Sequence, residues 1–423
     1  MLEKIINMDE VSGPGAIRLR RRLLTCVKFR FPVARTLAVI LLLTAGAHAE
    51  DRPKAPRSHT RPIPAEEFSR IVNEFSEDGG FFLSDNFISN ETSYLHVVDK
   101  LRDLGATGGA YVGVGPEQNF TYIAKIRPEI AFIVDIRRQA IIQHLMYKAL
   151  FQVSETRLQF LSRLLCKPMA RDGAPARGAT LPELVKYLEH LPSQDDAFKE
   201  NLTLLRRVIE KTFKFSMTER DVSSLQYVYD AFRESNLDIQ FRFGGRTMGG
   251  GGYRYGMFPT MKEILLETDL KGEFSSFLGN EEDYQFVRDM QRHNRIIPIV
   301  GDFAGKKALA AVGKYLGQNG YRLTAFYTSN VEQFLFGNEV FGGFVDNVRK
   351  LPVDAKSLFI RAFTGASYLH PARVPGHRLA TMLQKVSVFL DDYDHELYPD
   401  YWSLLTIHFI TGKPEPETAA TPR

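Results

Sequence analysis

Apolar positions recur at helical spacing over residues 65–75 and 94–104, and then give way to short, continuous apolar runs punctuated by glycine and acid. In the second helical stretch Leu95, Val98 and Leu101 share a face, Ser89 or Asn90 is placed to cap it, and Gly105 ends it. The first continuous run, Ala110-Tyr111-Val112, follows Gly108-Gly109 and ends in Gly113-Val114-Gly115. A short helix over 118–125 comes next, with Phe120 and Ile123 among its apolar positions. The second run, Ile130-Ala131-Phe132-Ile133-Val134, lacks polar alternation, as a strand covered on both faces does, and ends in Asp135. Strand, glycine turn, helix, strand and acid make a βαβ unit.

Beyond it the pattern is helical, with candidate helices over 140–151, 155–165, 181–191, 196–212 and 223–234. A loop holding seven glycines runs from Gly244 to Gly256. Strand and helix then alternate again: strand 296–300 ending at Gly301-Asp302, helix 306–316, strand 323–327, a helix from Val331, and strand 357–361. Leu379 to Leu390 reads as a late helix. The fold expected is α/β, a Rossmann-like, mostly parallel sheet with a helical insertion between its two halves. The halves are 65–137 and 295–410, the insertion is 138–240, the glycine-rich connection is 241–294, and 411–423 is a disordered tail.

At 423 residues and 44% hydrophobic the chain can bury a large core. Its net charge of +4 owes much to a basic leader holding Arg18, Arg20, Arg21, Arg22, Lys28, Arg30 and Arg35, so the rest is near neutral and no nucleic-acid partner is called for. The leader continues with the apolar run Leu37 to Leu43 and with Ala47-His48-Ala49, the layout of a secretory signal over 1–49. Export to the periplasm or medium is the expectation, with the long leader allowing a start at Met8; a misassigned start codon points instead to the cytoplasm. The apolar run is shorter than the roughly 20 residues of a membrane span, so no stable membrane span follows signal cleavage. Residues 50–64, rich in Pro and Arg, read as a disordered linker. Of the two cysteines Cys26 lies in the leader, so the mature chain has no internal disulfide, and Cys166 reads as a buried structural thiol.

Candidate chemistry centres on the glycine turn. Gly113 and Gly115 let the backbone bend sharply beside a helix start that offers unpaired amides, and Asp135 stands at the neighbouring strand tip, where an acid can take ribose hydroxyls. Tyr111-Val112-Gly113-Val114-Gly115 resembles the first motif of the class I S-adenosylmethionine-dependent methyltransferases. The resemblance implies that Gly113, Gly115, Asp135 and Asp302 hold the nucleoside of S-adenosylmethionine, and that Asn330 and Glu332, at the place of the family's fourth motif, face the reacting group. It covers 105–137 and 295–362. Two positions depart from the family pattern: Tyr111 stands where an acid is usual, and Pro116-Glu117 replaces a small residue. These departures suit the alternative reading, an exported, non-catalytic ligand-binding or scaffold protein that retains the fold.

The polar run 84–92 suits helix capping, and, compatibly with that, Asn86, Asn90 and Glu91 are candidates to line the pocket beside the turn. In the glycine loop Arg246, Tyr253 and Arg254 are candidates to clamp a carboxylate or phosphate of a small-molecule substrate, and Arg137 and Arg138 to extend an anion site. The histidines have no ligand spacing, so no metal site is expected. There is no GxSxG elbow and no P-loop, and Pro116 separates the turn from the dinucleotide fingerprint. The oligomeric state is left open by the sequence.

Overall fold

The computed structural model describes residues 61–170, 172–243, 246–247, 258–364, 369–377 and 379–414. Nine strands occur among them: β1 (Ala110–Gly113), β2 (Ile130–Asp135), β3 (Arg242–Phe243), β4 (Arg246–Thr247), β5 (Ile296–Val300), β6 (Leu323–Ser329), β7 (Leu358–Thr364), β8 (Leu379–Lys385) and β9 (Ile410–Thr411). Seven of them form one sheet in the order β5-β2-β1-β6-β7-β8-β9, and β3 and β4 pair separately. The pairs from β5 to β7 are parallel, and β8 is antiparallel to both of its neighbours. Taken along the chain this is the doubly wound order, with the winding reversing between β1 and β6. Pro298 is tolerated because β5 pairs only with β2, so its missing amide opens no gap in a central ladder.

The helices are α1 (Ala65–Phe75), α2 (Val98–Asp103), α3 (Gln118–Ile126), α4 (Arg138–Val153), α5 (Arg157–Leu164), α6 (Leu181–Glu189), α7 (Asp195–Arg207), α8 (Glu219–Ser235), α9 (Met261–Leu265), α10 (Glu281–Arg292), α11 (Ala308–Gln318), α12 (Val331–Gly337), α13 (Phe341–Val348), α14 (Val386–Asp394) and α15 (Tyr401–Thr406). β1, β2 and β5 are buried along their whole length, which explains their unalternating apolar sequences. α4 is buried continuously from Ala140 to Phe151, because β2 and β5 cover one side and α8 of the insertion the other. α4 therefore packs between the sheet and the helices that follow it. Aromatic rings join the two parts: Phe120 of α3 meets Phe151 of α4 at 5.3 Å and Phe277 at 5.4 Å edge to face, and Phe151 packs on Phe160 of α5 at 4.6 Å in a tilted arrangement.

Three expectations are corrected. The stretch read as one helix over 379–390 is strand β8 followed by helix α14. Its apolar residues at 379, 380, 382 and 383 mimic helical spacing because both faces of β8 are covered, which erases the alternation a half-exposed strand would show. At the amino-terminal side, 61–64 is not loose linker: Ile63 donates its amide to His293 O at 3.0 Å, and Arg295 holds Arg61 O at 2.6 Å. At the other end Thr411 pairs in β9 rather than starting a tail. Residues 1–49, read above as a secretory signal, the rest of the expected linker and 415–423 lie outside the described residues. Among the described residues no helix is long and apolar enough to cross a membrane.

Candidate functional site

In a doubly wound sheet ligands bind beyond the carboxyl ends of the strands, where the winding reverses. Here that place lies between β1 and β6, and the glycine turn leaves β1 directly beneath it. Gly115 takes φ 78°, a left-handed conformation open to glycine. The inside of the turn is filled by the chain itself. Asn119, from the first turn of α3, donates Nδ2 to the carbonyls of Val114, Gly115 and Pro116 at 2.9, 3.0 and 2.8 Å, and its Oδ1 accepts the Tyr111 hydroxyl at 2.9 Å. A Cβ on Gly113 would stand 2.0 Å from Asn119 Oδ1, so Gly113 is required for the space Asn119 takes. His144 Nε2 lies 2.8 Å from Gly115 O, and its Nδ1 is buried without a partner. Burial pushes that imidazole down to about 4, so it is neutral at pH 7.

Asp135 does stand at the tip of β2, but its carboxylate is already engaged. Arg137 Nε reaches Oδ1 at 3.0 Å, Nη2 reaches Oδ2 at 2.9 Å, and the Arg137 amide adds a bond of 2.9 Å to Oδ1. The same guanidinium donates Nη1 to Ser84 O at 2.9 Å and Asp85 O at 2.7 Å, and so straps the segment before α2 across the sheet edge. Asp135 is only 3% exposed. The pocket expected between the glycine bend and this acid is therefore closed by Asn119 and Arg137. Arg138 is likewise spent, on Asp221 at 2.9 and 3.1 Å. Asp302, at the end of β5, accepts the Ala304 amide at 2.9 Å in a local turn. The start of α11 beside it is capped by Glu77, which accepts the amides of Lys307 and Ala308 at 2.8 and 2.6 Å.

What converges at the switch point is a different set of residues. Glu91 Oε2 accepts Gln118 Nε2 at 2.8 Å, and Oε1 accepts the Ser329 hydroxyl. Ser89 supplies its hydroxyl to Gln118 Oε1 and its amide to Glu117 Oε1, the latter at 3.0 Å. Ser329 ends β6 with φ 55°, uncommon for a residue with a side chain, at a break in the β6–β7 register. Burial pushes the Glu91 carboxyl up, against the bonds from Ser329 and Gln118. Asn90 is half-buried next to Glu91, and Asn330 is half-buried next to Ser329. Of the sequence candidates, Glu91 and Asn330 thus come together through Ser329. Gln118 and Ser329 escaped the sequence reading; the run Glu117-Gln118-Asn119, polar where a small residue was expected, was the available signal.

Glu332 does not face this site. It is fully buried, with Oε1 accepting Arg361 Nε and Oε2 accepting Thr328 Oγ1, each at 2.8 Å. Arg361 continues to Gln384 Oε1 at 2.6 Å and lies 4.3 Å over the Phe359 ring. This is a buried ion pair between α12 and β7, so the Glu332 carboxylate expected to face the reacting group is engaged by Arg361. Tyr253, Arg254 and the side chain of Arg246 lie outside the described residues. Cys166 is buried, with its thiol pushed up to about 11 by burial, as suits a structural residue. Among the described residues no group of His, Cys, Asp or Glu is arranged to hold a metal.

A carboxyl pushed up by burial, facing a hydroxyl and an amide, can exchange hydrogen bonds with a small polar molecule. No curated protein matches the chain. A family model described as a domain of unknown function (DUF7790) matches residues 86–224 and 184–406, a span that takes in six of the seven strands of the main sheet, the insertion and the Glu91 cluster. The chain belongs to that family, DUF7790.

Proposed function

We propose that this chain is a methyltransferase-like α/β protein that binds a small hydrogen-bonding ligand at the switch point, against Glu91, Gln118, Ser329 and Asn330. The observation that carries this reading is the Glu91 carboxyl, met by Ser329 from a left-handed backbone position and by Gln118 from the start of α3. A strained strand end and a buried acid from a separate segment need a reason to meet, and the switch point supplies one. As the residues stand they do not fit S-adenosylmethionine: the acid for the ribose is held by Arg137 and the turn for the methionine end is filled by Asn119. The proposal is accordingly of a binding protein, exported if the leader acts as a signal, that keeps the fold without the nucleoside.

A second reading is favoured by the strand order together with the position of Asp135 at the tip of β2. In it Arg137 swings away, the nucleoside of S-adenosylmethionine takes its place, and the protein is a methyltransferase. Calorimetry of the purified protein with S-adenosylhomocysteine separates the two. No heat at ligand concentrations up to about 1 mM, the range of the weakest useful affinities, is the outcome expected here. Binding that is lost in Asp135→Asn establishes the second reading instead. The site itself is tested by thermal shift with a panel of small polyols and amines: a shift present in the wild type and absent in Glu91→Gln supports it, and no shift with any member overturns it.

A further inference from the structure

A cavity of about 30 Å³ lies between α3 and the helical insertion, with Gln118 in its lining. Most of its wall is apolar, from residues such as Ile88, Phe160, Phe232 and Phe277. An apolar hole of this kind stays dry, but polar atoms enter this one. Glu117 Oε2 is shut off from solvent and accepts no hydrogen bond, and Ser276 Oγ is buried without a bond of good geometry. The Tyr94 hydroxyl makes a long contact of 3.4 Å to Ile264 O and side-chain interactions with Ser276 and Thr121, and Thr121 Oγ1 also accepts the Phe277 amide at 3.2 Å. All four residues line the cavity.

A buried carboxyl oxygen without a donor is costly, by about 1–3 kcal/mol or more. One water needs roughly 10–15 Å³ and two to four polar partners. Volume and partners therefore agree.

We propose that this chamber is a hydration site, holding one or two water molecules bonded to Glu117 Oε2 and to the hydroxyls of Ser276, Tyr94 and Thr121. The assignment does not depend on which ligand the switch point takes. Its consequence reaches that site, because the other oxygen of Glu117 holds the Ser89 amide and Ser89 holds Gln118, the partner of Glu91. Burial pushes Glu117 up to about 7, so near neutral pH the chamber gains or loses a proton. The waters are the group with which that proton is shared.

A high-resolution crystal structure of the wild-type protein tests this directly. Density within about 2.7–3.2 Å of Glu117 Oε2 supports the site, and an empty cavity overturns it. Two variants sharpen the assignment. Glu117→Gln, of the same shape, is expected to keep the density, and Glu117→Leu to lose it. Density that persists in Glu117→Leu removes the acid from the site and overturns the proposal, and the wild-type map decides the matter even if the leucine variant fails to fold.

Discussion

Arg137 grips both carboxylate oxygens of Asp135, at 3.0 and 2.9 Å, while the rest of its guanidinium holds the carbonyls of Ser84 and Asp85. The pair is buried on both sides, with side chains 8% and 4% exposed. Removing one member of a buried pair strands the other, which costs about 3–5 kcal/mol. Arg137→Ala is expected to lose about that much stability in urea denaturation. Asp135→Asn combined with Arg137→Ala is expected to lose less than the sum of the single changes. Additive losses would show that the two side chains do not act as a pair.

Glu332 and Asn330 differ by two residues in sequence, but Glu332 is fully buried against Arg361 and Asn330 is half-buried beside Ser329. Glu332→Ala strands Arg361 inside the core and is expected to cost about 3–5 kcal/mol. The paired change Glu332→Leu with Arg361→Met is expected to restore most of it, since buried ion pairs are often replaceable by apolar residues. Asn330→Ala, at a half-buried position beside Ser329, is expected to stay within about 0.5 kcal/mol of the wild type. Thermal unfolding of the four proteins checks the ranking; a Glu332→Ala protein as stable as the wild type contradicts it.

The two glycines of the turn are needed for different reasons. At Gly113 the obstacle is Asn119, which a Cβ would displace, and overpacking of this kind costs about 1–3 kcal/mol. At Gly115 nothing stands within 4 Å, and only the left-handed backbone resists a side chain, for about 1–2 kcal/mol. Gly115→Asn should therefore be milder than Gly115→Ala, whereas Gly113→Asn should be worse than Gly113→Ala. Denaturation midpoints for the four variants test this; the same order at both positions would refute the distinction.

Lys148 of α4 is buried against the rings of Phe68 and Phe213, at 4.6 and 4.9 Å, and donates to the Gln291 carbonyl. Burial holds its pKa well below the usual lysine value. The unfolded chain then binds a proton that the folded chain does not, over the interval from the lowered value up to about 10.4. Stability rises with pH through that interval, by at most about 1.4 kcal/mol per pH unit from this group, and is flat below it. Lys148→Met removes the increment. The stability gap by which the variant exceeds the wild type should narrow between neutral pH and the lysine range; parallel curves would show that Lys148 keeps its proton in the fold.

Periodicity in the chain was enough for much of the framework. α1, β2 and β5 fall where unbroken helical or apolar patterns put them, because burial of one face or of both is written into residue type. The glycine turn, the acid at the tip of β2 and the insertion were legible for the same reason. Tertiary structure decided the rest. Leu379 to Lys385 is a strand because β7 pairs with it, against a local pattern that suits a helix equally well. Asp135 is spent on Arg137 because carbonyls fifty residues earlier hold that guanidinium in place. Glu91 meets Ser329 across 238 positions, and Glu332 turns from the site to Arg361. A charge or hydroxyl acts through whichever partner lies within about 3 Å and out of water, and only the folded chain determines which partner that is.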